Sequence, residues 1–430
     1  MSFLPKIERI LIARGPGSCW QEDISAIRSR WIAPGDRWVT PAQAPGFKFV
    51  RQPARVMSIG LDMGNGQIAW GDCVGVSFAG KSGRDRAFTG SASDQLGDAG
   101  FTKKLLSVLH DCAGMPMDAV EQNIQAQMPD QPSSVAFGIS QALVNAVAAQ
   151  SGKSACQVFA EILGSAPDWS QRLGQIEFQG SCGSNWHDAV ERMIVQGIRY
   201  LPQGQFEDLP RELGADGSKL FAYIDWLKSR MATFDAARGP ALPAPQPRVI
   251  TLDFHGAAGT LFSNDPARLA AFILELEGRC KPFALHIESP IVMDSFEEQV
   301  PALVSLRREL RLRNSKVKII ADEWANTLGQ MEALATAGGV DGIHIKMPDT
   351  GSLLDSGRAV QLCHRHKLFA LLGGSCTETA VSATLAVHLA AATCPDALLV
   401  KPGISFDEGF SLVSLEMSKI KARFGAGISD

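Results

Sequence analysis

Four short apolar runs of this chain each end on a charged residue: VITLD (249–253), FALHIE (283–288), VKIIAD (317–322) and GIHIK (342–346). They belong to a series of eight such runs, the others being QIEFQG (175–180), GIRYLPQ (197–203), LFALLG (368–373) and ALLVK (397–401). Helical patterns separate several of the runs, as at 265–279 and 299–313. Apolar runs that alternate with helices are typical of parallel strands covered by helices. Eight such units predict an α/β fold built on a closed (β/α)8 barrel.

The charged residues at the ends of the four runs are Asp253, Glu288, Asp322 and Lys346. In a barrel these strand ends share one face, which is where active sites lie. Three carboxylates on that face repel one another unless a cation neutralises them, and all-oxygen ligation favours Mg²⁺. A helix cap or a surface ion pair explains any one of them alone, but not three on successive strands. The pattern therefore predicts a Mg²⁺ site.

The lysine at the end of the fourth run predicts a base. Lys346 beside a cation can accept a proton if the metal and partial burial lower its pKa. A metal and a lysine base together can remove a weakly acidic proton next to a carboxylate. A structural pairing of Lys346 with Asp322 or Glu323 is the alternative.

The chain before the barrel has a different pattern. Up to residue 76 it reads as short strands, with Asn65-Gly66 between apolar runs as a hairpin signal, and from 99 to 164 it has helical spacing. We therefore predict an N-terminal α+β capping domain (1–165) and a barrel domain (166–408). A C-terminal helix (409–430) is expected to pack back on the barrel or the cap.

Composition and charge limit the kinds of partner. The 430 residues are 45% hydrophobic and 20% charged, with a net charge of −4 and no block of like charge. This balance predicts no nucleic-acid partner and no membrane partner, and favours a small-molecule substrate. No export signal or long apolar run is visible, and nine scattered cysteines form no CxxC pair. A cytoplasmic location is expected.

Several motifs carry a resemblance to a known family. They are LDFHGAAG (252–259), HIESP (286–290), ADEWANT (321–327), IKMPDTG (345–351), GGSCTET (373–379), LVKPGISFDEG (399–409), GDC (71–73) and SGRD (82–85). From about residue 50 onward the chain resembles the enolase superfamily, and within it the methylaspartate ammonia-lyase family, as a divergent member. The resemblance implies an enolase-like fold, Mg²⁺ held by Asp253, Glu288 and Asp322, and Lys346 as the base. It implies removal of the C3 proton of L-threo-3-methylaspartate or a similar amino acid, and loss of ammonia to give mesaconate. It further implies a homodimer and a monovalent cation such as K⁺.

Departures from the family pattern surround the expected substrate. The positions matched to family substrate contacts are Ser77, Ser181, Gln203, His344, Ser375 and Cys376. Gln203 stands where the family has a second acid-base histidine, and His344 stands where it has a glutamine. An amide cannot shuttle a proton, so Lys346 is expected to be the single base. Another enolase-superfamily dehydratase or epimerase, acting on a different carboxylate, is the alternative function; a catalytically silent relative is a further one.

A second motif points to a different class of protein. Residues 75–82, GVSFAGKS, match the phosphate-loop pattern GxxxxGK[ST]. A phosphate loop must open directly into a helix, and GRDRAFTG (83–90) has little helical pattern. We instead expect a glycine-rich loop over the barrel mouth, with Ser77 and Phe78 facing the substrate. The roles of His255, which follows Asp253, and of Lys401, which ends the eighth run, stay open.

Overall fold

The structure of the chain is a computed structural model that describes residues 3–30, 32–93, 96–165, 169–183, 185–207, 209–237, 247–374, 377–400 and 405–424. An antiparallel sheet with its helices comes first, and a closed parallel barrel follows. The predicted fold class, a (β/α)8 barrel behind an N-terminal α+β cap, is confirmed.

The cap is built on a three-stranded sheet in the order β1-β2-β3. Its strands are β1 (Arg9–Glu22), β2 (Arg51–Asp62) and β3 (Ile68–Cys73). The predicted Asn65-Gly66 turn joins β2 to β3, and Gly66 has the positive φ that such a turn requires. The helices are α1 (Ile24–Ser29), α2 (Gly97–Asp111), α3 (Met117–Gln127), α4 (Ser133–Ser151) and α5 (Ala155–Ile162), and a short 3₁₀ segment covers Asp36–Trp38.

Helix α4 is the central helix of the cap, and it packs very closely on β3. A Cβ atom added at Gly71 would lie 2.0 Å from the carbonyl oxygen of Gly138. The Gln141 side chain also bonds to β3, with Nε2 donating to the Asp72 carbonyl at 2.8 Å. The small residues let the backbones approach, and this approach fixes β3 and the loop that follows it.

The barrel contains eight parallel strands, each paired with the next along the chain, and the last pairs with the first. A short helix, α6 (Trp169–Leu173), leads into it. The strands are β4 (Glu177–Gln179), β5 (Tyr200–Gln205), β6 (Val249–Asp253), β7 (Ala284–Glu288), β8 (Lys318–Ala321), β9 (Gly342–Lys346), β10 (Phe369–Gly373) and β11 (Ala397–Leu399). The helices are α7 (Val190–Val195), α8 (Ser218–Ala237), α9 (Ala257–Leu261), α10 (Pro266–Cys280), α11 (Phe296–Leu312), α12 (Leu328–Ala337), α13 (Met347–Thr350), α14 (Leu353–His366), α15 (Ala380–Thr393) and α16 (Phe406–Phe424), and a π-helical segment covers Leu209–Leu213.

The two ends of the barrel differ in chemistry. Side chains from five strands form an apolar cluster toward its N-terminal end: Tyr200, Val249, Ile320, Phe369, Leu371, Ala397 and Leu399. At the other end the strands finish on charged residues, and Asp253 lies beside Glu288 in the register of β6 and β7. The apolar layer closes one end of the barrel, so the polar chemistry is confined to the other end, which we call the mouth.

Helix α16 follows the last strand and takes the place of the eighth helix of the barrel. It packs against α15, where His388 Nε2 lies 3.1 Å from Glu416 Oε1. Its last aromatic ring, Phe424, stacks on Trp169 of α6 with ring centroids 5.0 Å apart. The helix therefore packs back on the barrel. It begins at Phe406, so the predicted domain boundary at residue 408 falls inside it. No helix within the described ranges has the length and apolar character needed to cross a membrane.

A half-buried carboxylate joins the cap to the barrel. The Glu121 carboxylate on α3 accepts hydrogen bonds from Ser140 of α4 and from Ser352, which precedes α14, both at 2.6 Å. Burial raises the pKa of Glu121 from 4.5 to about 7, although both serine hydrogen bonds act to lower it. Ionisation of Glu121 near neutral pH therefore weakens the contact between the cap and the barrel.

Glu121→Gln is expected to gain stability relative to the natural chain as pH rises. The folded chain holds the Glu121 proton more tightly than the unfolded chain, so the cost of ionisation grows between pH 4.5 and about 7 and is complete above that range. Thermal unfolding from pH 5 to 8.5 checks this. Asp130→Asn, at an exposed carboxylate, is the control and should show no such trend. A constant difference between Glu121→Gln and the natural chain would contradict the prediction.

Candidate active site

The residues predicted to carry the chemistry meet at the barrel mouth. Asp253, Glu288 and Lys346 are the last residues of β6, β7 and β9, and Asp322 directly follows β8. The three carboxylates are buried, whereas the Lys346 side chain is 15% exposed. The structure thus brings together residues far apart in the chain, as the strand-end pattern predicts.

Asp322 is held by two cationic side chains. Its Oδ2 accepts from Lys346 Nζ at 2.5 Å, and its Oδ1 accepts from Arg84 Nη2 at 2.9 Å. Arg84 comes from the cap, where it also donates through Nε to Asp349 Oδ2 at 2.8 Å. Its Nη1 lies 3.7 Å from Glu323 Oε1. One arginine of the cap therefore links three carboxylates of the barrel.

Glu288 is held by an amide and an imidazole instead. Its Oε2 accepts from the Gln203 amide Nε2 at 2.8 Å, and its Oε1 pairs with His344 Nδ1 at 2.7 Å. Gln203 lies on β5 and His344 on β9, so this bridge crosses the barrel. A Cβ at Gly373 on β10 would lie 1.8 Å from His344 Nε2, so only glycine leaves room for the imidazole.

His255 belongs to the same cluster. Its Nδ1 lies 2.9 Å from Glu323 Oε1 and its Nε2 lies 3.1 Å from Asp253 Oδ2. The ring of Phe78 packs edge-on against the imidazole, with centroids 4.7 Å apart. The histidine is therefore part of the site, positioned by carboxylates on both sides.

The carboxylates differ in how their charge is compensated. Burial, followed by the charge of Glu288, raises the pKa of Asp253 well above its usual range. Burial also acts to raise the pKa of Asp322, but Arg84 and Lys346 outweigh it and the pKa is lowered. Asp253 is therefore the carboxylate whose charge the protein compensates least, and it stands to gain most from a bound cation.

The pKa of Lys346 reflects the same cluster. Burial and the neighbouring Arg84 act to lower it, but the carboxylates, chiefly Asp322 and Glu323, outweigh them and hold it above its usual value. Lys346 is thus paired with Asp322, as the structural alternative requires. Lys346 can act as a base only if further positive charge near these carboxylates lowers its pKa.

The donor set at the mouth fits a divalent cation. Two groups of three side chains could each hold a metal ion, because the potential ligand atoms within each group lie within 4.8 Å of one another. The first group is Asp253, His255 and Asp322, and the second is Glu288, Asp322 and His344. The three predicted ligands do not form a single such group; Asp322 joins the two. Since both imidazoles engage carboxylates, the carboxylate oxygens are the donors suited to Mg²⁺.

Family models described as the methylaspartate ammonia-lyase N-terminus and C-terminus match residues 5–164 and 172–425. The methylaspartate ammonia-lyase of Citrobacter amalonaticus is 32% identical over 96% of this chain and 98% of its own length. The chain belongs to the methylaspartate ammonia-lyase family. The predicted family is confirmed, and with it the assignment of the chain to carbon-nitrogen lyases.

Solved structures agree with the family assignment. The C. amalonaticus methylaspartate ammonia lyase containing (2S,3S)-3-methylaspartic acid has a TM-score of 0.86 and 30% identity, covering 98% of this chain and 100% of that chain. The Mg complex of β-methylaspartase from Clostridium tetanomorphum has a TM-score of 0.80 and 25% identity, covering 97% and 98%. The L-Ala-D/L-Glu epimerase of Bacillus subtilis, with 16% identity over 93% of this chain and 91% of its own and a TM-score of 0.61, shares the fold.

The loop that matches the phosphate-loop pattern covers the mouth. Turns extend over 77–83, and no helix begins within the described residues 75–93, as predicted. Ser77 and Phe78 line a small cavity with Asp253, Gln203 and Lys346. The glycine-rich loop of this family member therefore closes over the carboxylates.

The remaining predicted contacts fall elsewhere. Ser181 is buried after β4, where its Oγ accepts from the Gly183 amide at 3.4 Å, and it does not line this cavity. Ser375, Cys376 and Lys401 lie outside the described residues. The structure thus brings Ser77, Gln203 and His344 to the site, but not Ser181.

Three charged residues of the site had no role in the sequence prediction. Arg84 appeared only within the SGRD motif, Glu323 only as a pairing partner of Lys346, and Asp349 only within IKMPDTG. The motifs were the only signal for Arg84 and Asp349, because no periodicity connects a cap loop with a barrel strand. Glu323 directly follows Asp322 and lies in the ADEWANT motif, and these were its other signals.

Gly373→Ala is expected to displace His344 from Glu288, because its Cβ would overlap the imidazole. We expect a loss of about 1–3 kcal/mol in the free energy of unfolding, measured by urea denaturation. In a His344→Ala background the same change should cost much less, since the clash is then absent.

Gly278→Ala is the matched control for that substitution. Gly278 lies in α10 with no atom within 4 Å of an added Cβ, so alanine should be neutral or stabilising there. An equal loss for Gly373→Ala in both backgrounds would contradict the role of the imidazole.

Proposed function

We propose that the chain is a Mg²⁺-dependent carbon-nitrogen lyase that eliminates ammonia from L-threo-3-methylaspartate or a similar amino acid. The supporting observation is the position of Lys346 Nζ, 2.5 Å from Asp322, at a mouth that also holds Asp253 and Glu288. A solved relative contains (2S,3S)-3-methylaspartic acid, and another is a Mg complex. Both observations favour this substrate class and this metal.

Asp253, Glu288 and Asp322 would hold the cation. When bound, Mg²⁺ would supply positive charge that stabilises the charge developing on a substrate carboxylate and favours the neutral form of Lys346. Lys346 then takes the proton from C3, the carbon next to that carboxylate. Arg84 keeps Asp322 in place from the cap side while Lys346 changes its protonation state.

The loop at 75–82 excludes water from this chemistry. The cavity between Ser77, Phe78 and the barrel residues has about 20 Å³, room for about one water molecule. An amino acid is larger, so the loop and the pocket side chains must move to admit it. After closure the reacting carbon lies away from bulk solvent, where the site's electrostatic interactions are stronger.

The principal test is turnover of L-threo-3-methylaspartate with Mg²⁺, followed by ultraviolet absorbance of the unsaturated diacid and by an ammonia assay. Lys346→Ala should lower kcat by at least about 100-fold, as expected for loss of a general base. Glu288→Ala should weaken Mg²⁺ binding in calorimetry by more than about tenfold. Absence of ammonia release from the natural chain, or unchanged Mg²⁺ affinity in Glu288→Ala, would contradict the proposal.

A second candidate function rests on Gln203 and His344, which differ from the family at the substrate. With the metal ligands and Lys346 unchanged, an altered pocket is compatible with dehydration or epimerisation of another carboxylate. Such an enzyme would exchange the proton next to a carboxylate without releasing ammonia. Deuterium incorporation without ammonia therefore distinguishes this candidate from the lyase.

Stereochemistry tests whether Lys346 acts alone. A lysine on one side of the substrate can remove only the proton facing it, and Gln203 cannot serve as a base on the opposite side. Deuterium exchange at C3, measured by NMR, should occur in one epimer only and should vanish in Lys346→Ala. Gln203→His is expected to open a slow route to the other epimer. Comparable exchange in both epimers of the natural protein would show a second base.

The family resemblance supports three further proposals. We propose a homodimer, activation by a monovalent cation such as K⁺, and a cytoplasmic location, with a small-molecule substrate and neither nucleic acid nor membrane as partner. Sedimentation analysis tests the dimer, and turnover in K⁺ against tetramethylammonium salts tests the cation.

A further inference from the structure

A second and larger cavity lies between the cap and the barrel, and we call it the interface cavity. Its volume is about 630 Å³. The cap wall consists of α3, α4 and residues 83–85, and the barrel wall consists of residues 326–327 and 349–358. Arg84 lines both this cavity and the small cavity at the mouth, so the two spaces adjoin at its side chain.

The charges around the interface cavity are unbalanced. Two guanidinium groups line it, those of Arg84 and Arg358, against five carboxylates: Asp85, Asp118, Glu121, Asp349 and Asp355. Both arginines are already engaged, because Arg84 bonds to Asp322 and Asp349 and Arg358 pairs with Asp355 at 2.8 Å. The cavity therefore carries negative charge that the two arginines do not compensate.

Glu121 shows this lack of compensation most directly. Its two oxygens accept hydrogen bonds from the hydroxyl groups of Ser140 and Ser352, and no cationic side chain of the described residues forms an ion pair with it. Burial raises the pKa of Glu121 to about 7, so the carboxylate is charged at pH 8. A hydroxyl group satisfies a lone pair but supplies no opposite charge, so Glu121 still lacks a counter-ion.

A buried amide on the barrel wall gives an independent observation. Asn326 is 4% exposed, and its Nδ2 donates to the Ser82 carbonyl at 2.7 Å. A carbonyl only accepts hydrogen bonds, so this bond fixes which end of the amide is the nitrogen, and Oδ1 lies on the other side. Within the described part of the chain this buried Oδ1 has no hydrogen-bond partner, and Asn326 lines the interface cavity. The cavity thus contains an acceptor that requires a donor.

The carboxylates of the interface cavity are too dispersed for three of them to hold one metal ion. Among the described residues, both groups of three potential ligands that lie within 4.8 Å of one another are at the barrel mouth, and neither includes a carboxylate of this cavity. Asp118 and Glu121 belong to α3 of the cap, whereas Asp355 belongs to α14 of the barrel. Charge spread over two walls favours an extended cation over a compact one.

We propose that the interface cavity binds a small organic cation with two primary ammonium groups, with Glu121 on the cap wall and Asn326 Oδ1 on the barrel wall among its acceptors. Each ammonium group has three N–H donors and a positive charge, so it satisfies the acceptors and reduces the charge imbalance. An anion would meet like charge, and a neutral diol would leave the carboxylates uncompensated. The acceptors belong to both units, so the bound cation ties the cap to the barrel. This inference goes beyond the proposed lyase activity and does not depend on it.

Calorimetry on the full chain at pH 8 and constant ionic strength tests the site, with 1,4-diaminobutane as the probe. We expect one molecule to bind per chain, at least about tenfold more tightly than 1-aminobutane or ammonium ion, because each of these lacks the second charged donor group. The neutral analogue 1,4-butanediol should not bind. Thermal unfolding should shift to higher temperature in 1,4-diaminobutane, since a ligand that binds only the folded chain stabilises it.

Three substitutions locate the bound cation. Glu121→Gln, which keeps the size of the side chain but removes its charge, should weaken binding of 1,4-diaminobutane by at least about tenfold. Asn326→Leu, which is similar in shape but lacks the acceptor, should weaken it by at least about fivefold. Asp118→Asn removes a second charge from the cap wall and should weaken it by about threefold, which keeps the test decisive if Asn326→Leu does not fold.

Asp130→Asn is the matched control. Asp130 is an exposed carboxylate that follows α3 and does not line the interface cavity, so its substitution should leave the affinity unchanged. Absence of 1,4-diaminobutane binding, equal binding of 1-aminobutane, or an unchanged affinity in Glu121→Gln would overturn the inference. Binding that is weakened in Glu121→Gln and kept in Asp130→Asn would support it, whether or not the chain releases ammonia from methylaspartate.

Discussion

Buried negative charge at the barrel mouth is the constraint on which the site depends. Five carboxylates meet there with little access to water: Asp253, Glu288, Asp322, Glu323 and Asp349. A buried carboxylate is costly unless it is paired and hydrogen-bonded. The barrel supplies one lysine, Lys346, and the cap supplies Arg84, which bonds directly to Asp322 and Asp349. The cap is therefore an electrostatic part of the site as well as its lid.

The hydrogen bonds at the mouth form two layers with different tasks. Lys346 and His344 are two residues apart on β9, so their side chains lie on the same face of the strand, with His344 deeper in the barrel. The outer layer joins Lys346, Asp322 and Arg84 through charged pairs. The inner layer joins His344 and Gln203 to the two oxygens of the Glu288 carboxylate. The outer layer compensates the charge of Asp322, and the inner layer satisfies the hydrogen bonds of the Glu288 carboxylate.

Topology explains which residues the sequence could predict. Asp253, Glu288, Asp322 and Lys346 were recognisable because a strand end has a fixed place in a barrel, whatever the loops do. Arg84 was not, because it is 238 residues from Asp322 and its position depends on the conformation of the loop after β3. Ser181 was placed in the substrate site by the family alignment alone, and the structure puts it outside the cavity. Likewise, α16 reads from sequence as a separate helix because its pattern does not show that it completes the barrel.

The inner layer gives a physical meaning to the departures from the family. By the resemblance, the family has a histidine where this chain has Gln203 and a glutamine where it has His344, so the two residue types have exchanged places across Glu288. The exchange keeps two donors toward Glu288, which explains why the carboxylate is still satisfied. It moves the imidazole from the strand opposite Lys346 to the strand that carries Lys346. The exchange therefore preserves the hydrogen bonds to Glu288 while leaving β5, the strand opposite Lys346, with an amide that cannot transfer a proton.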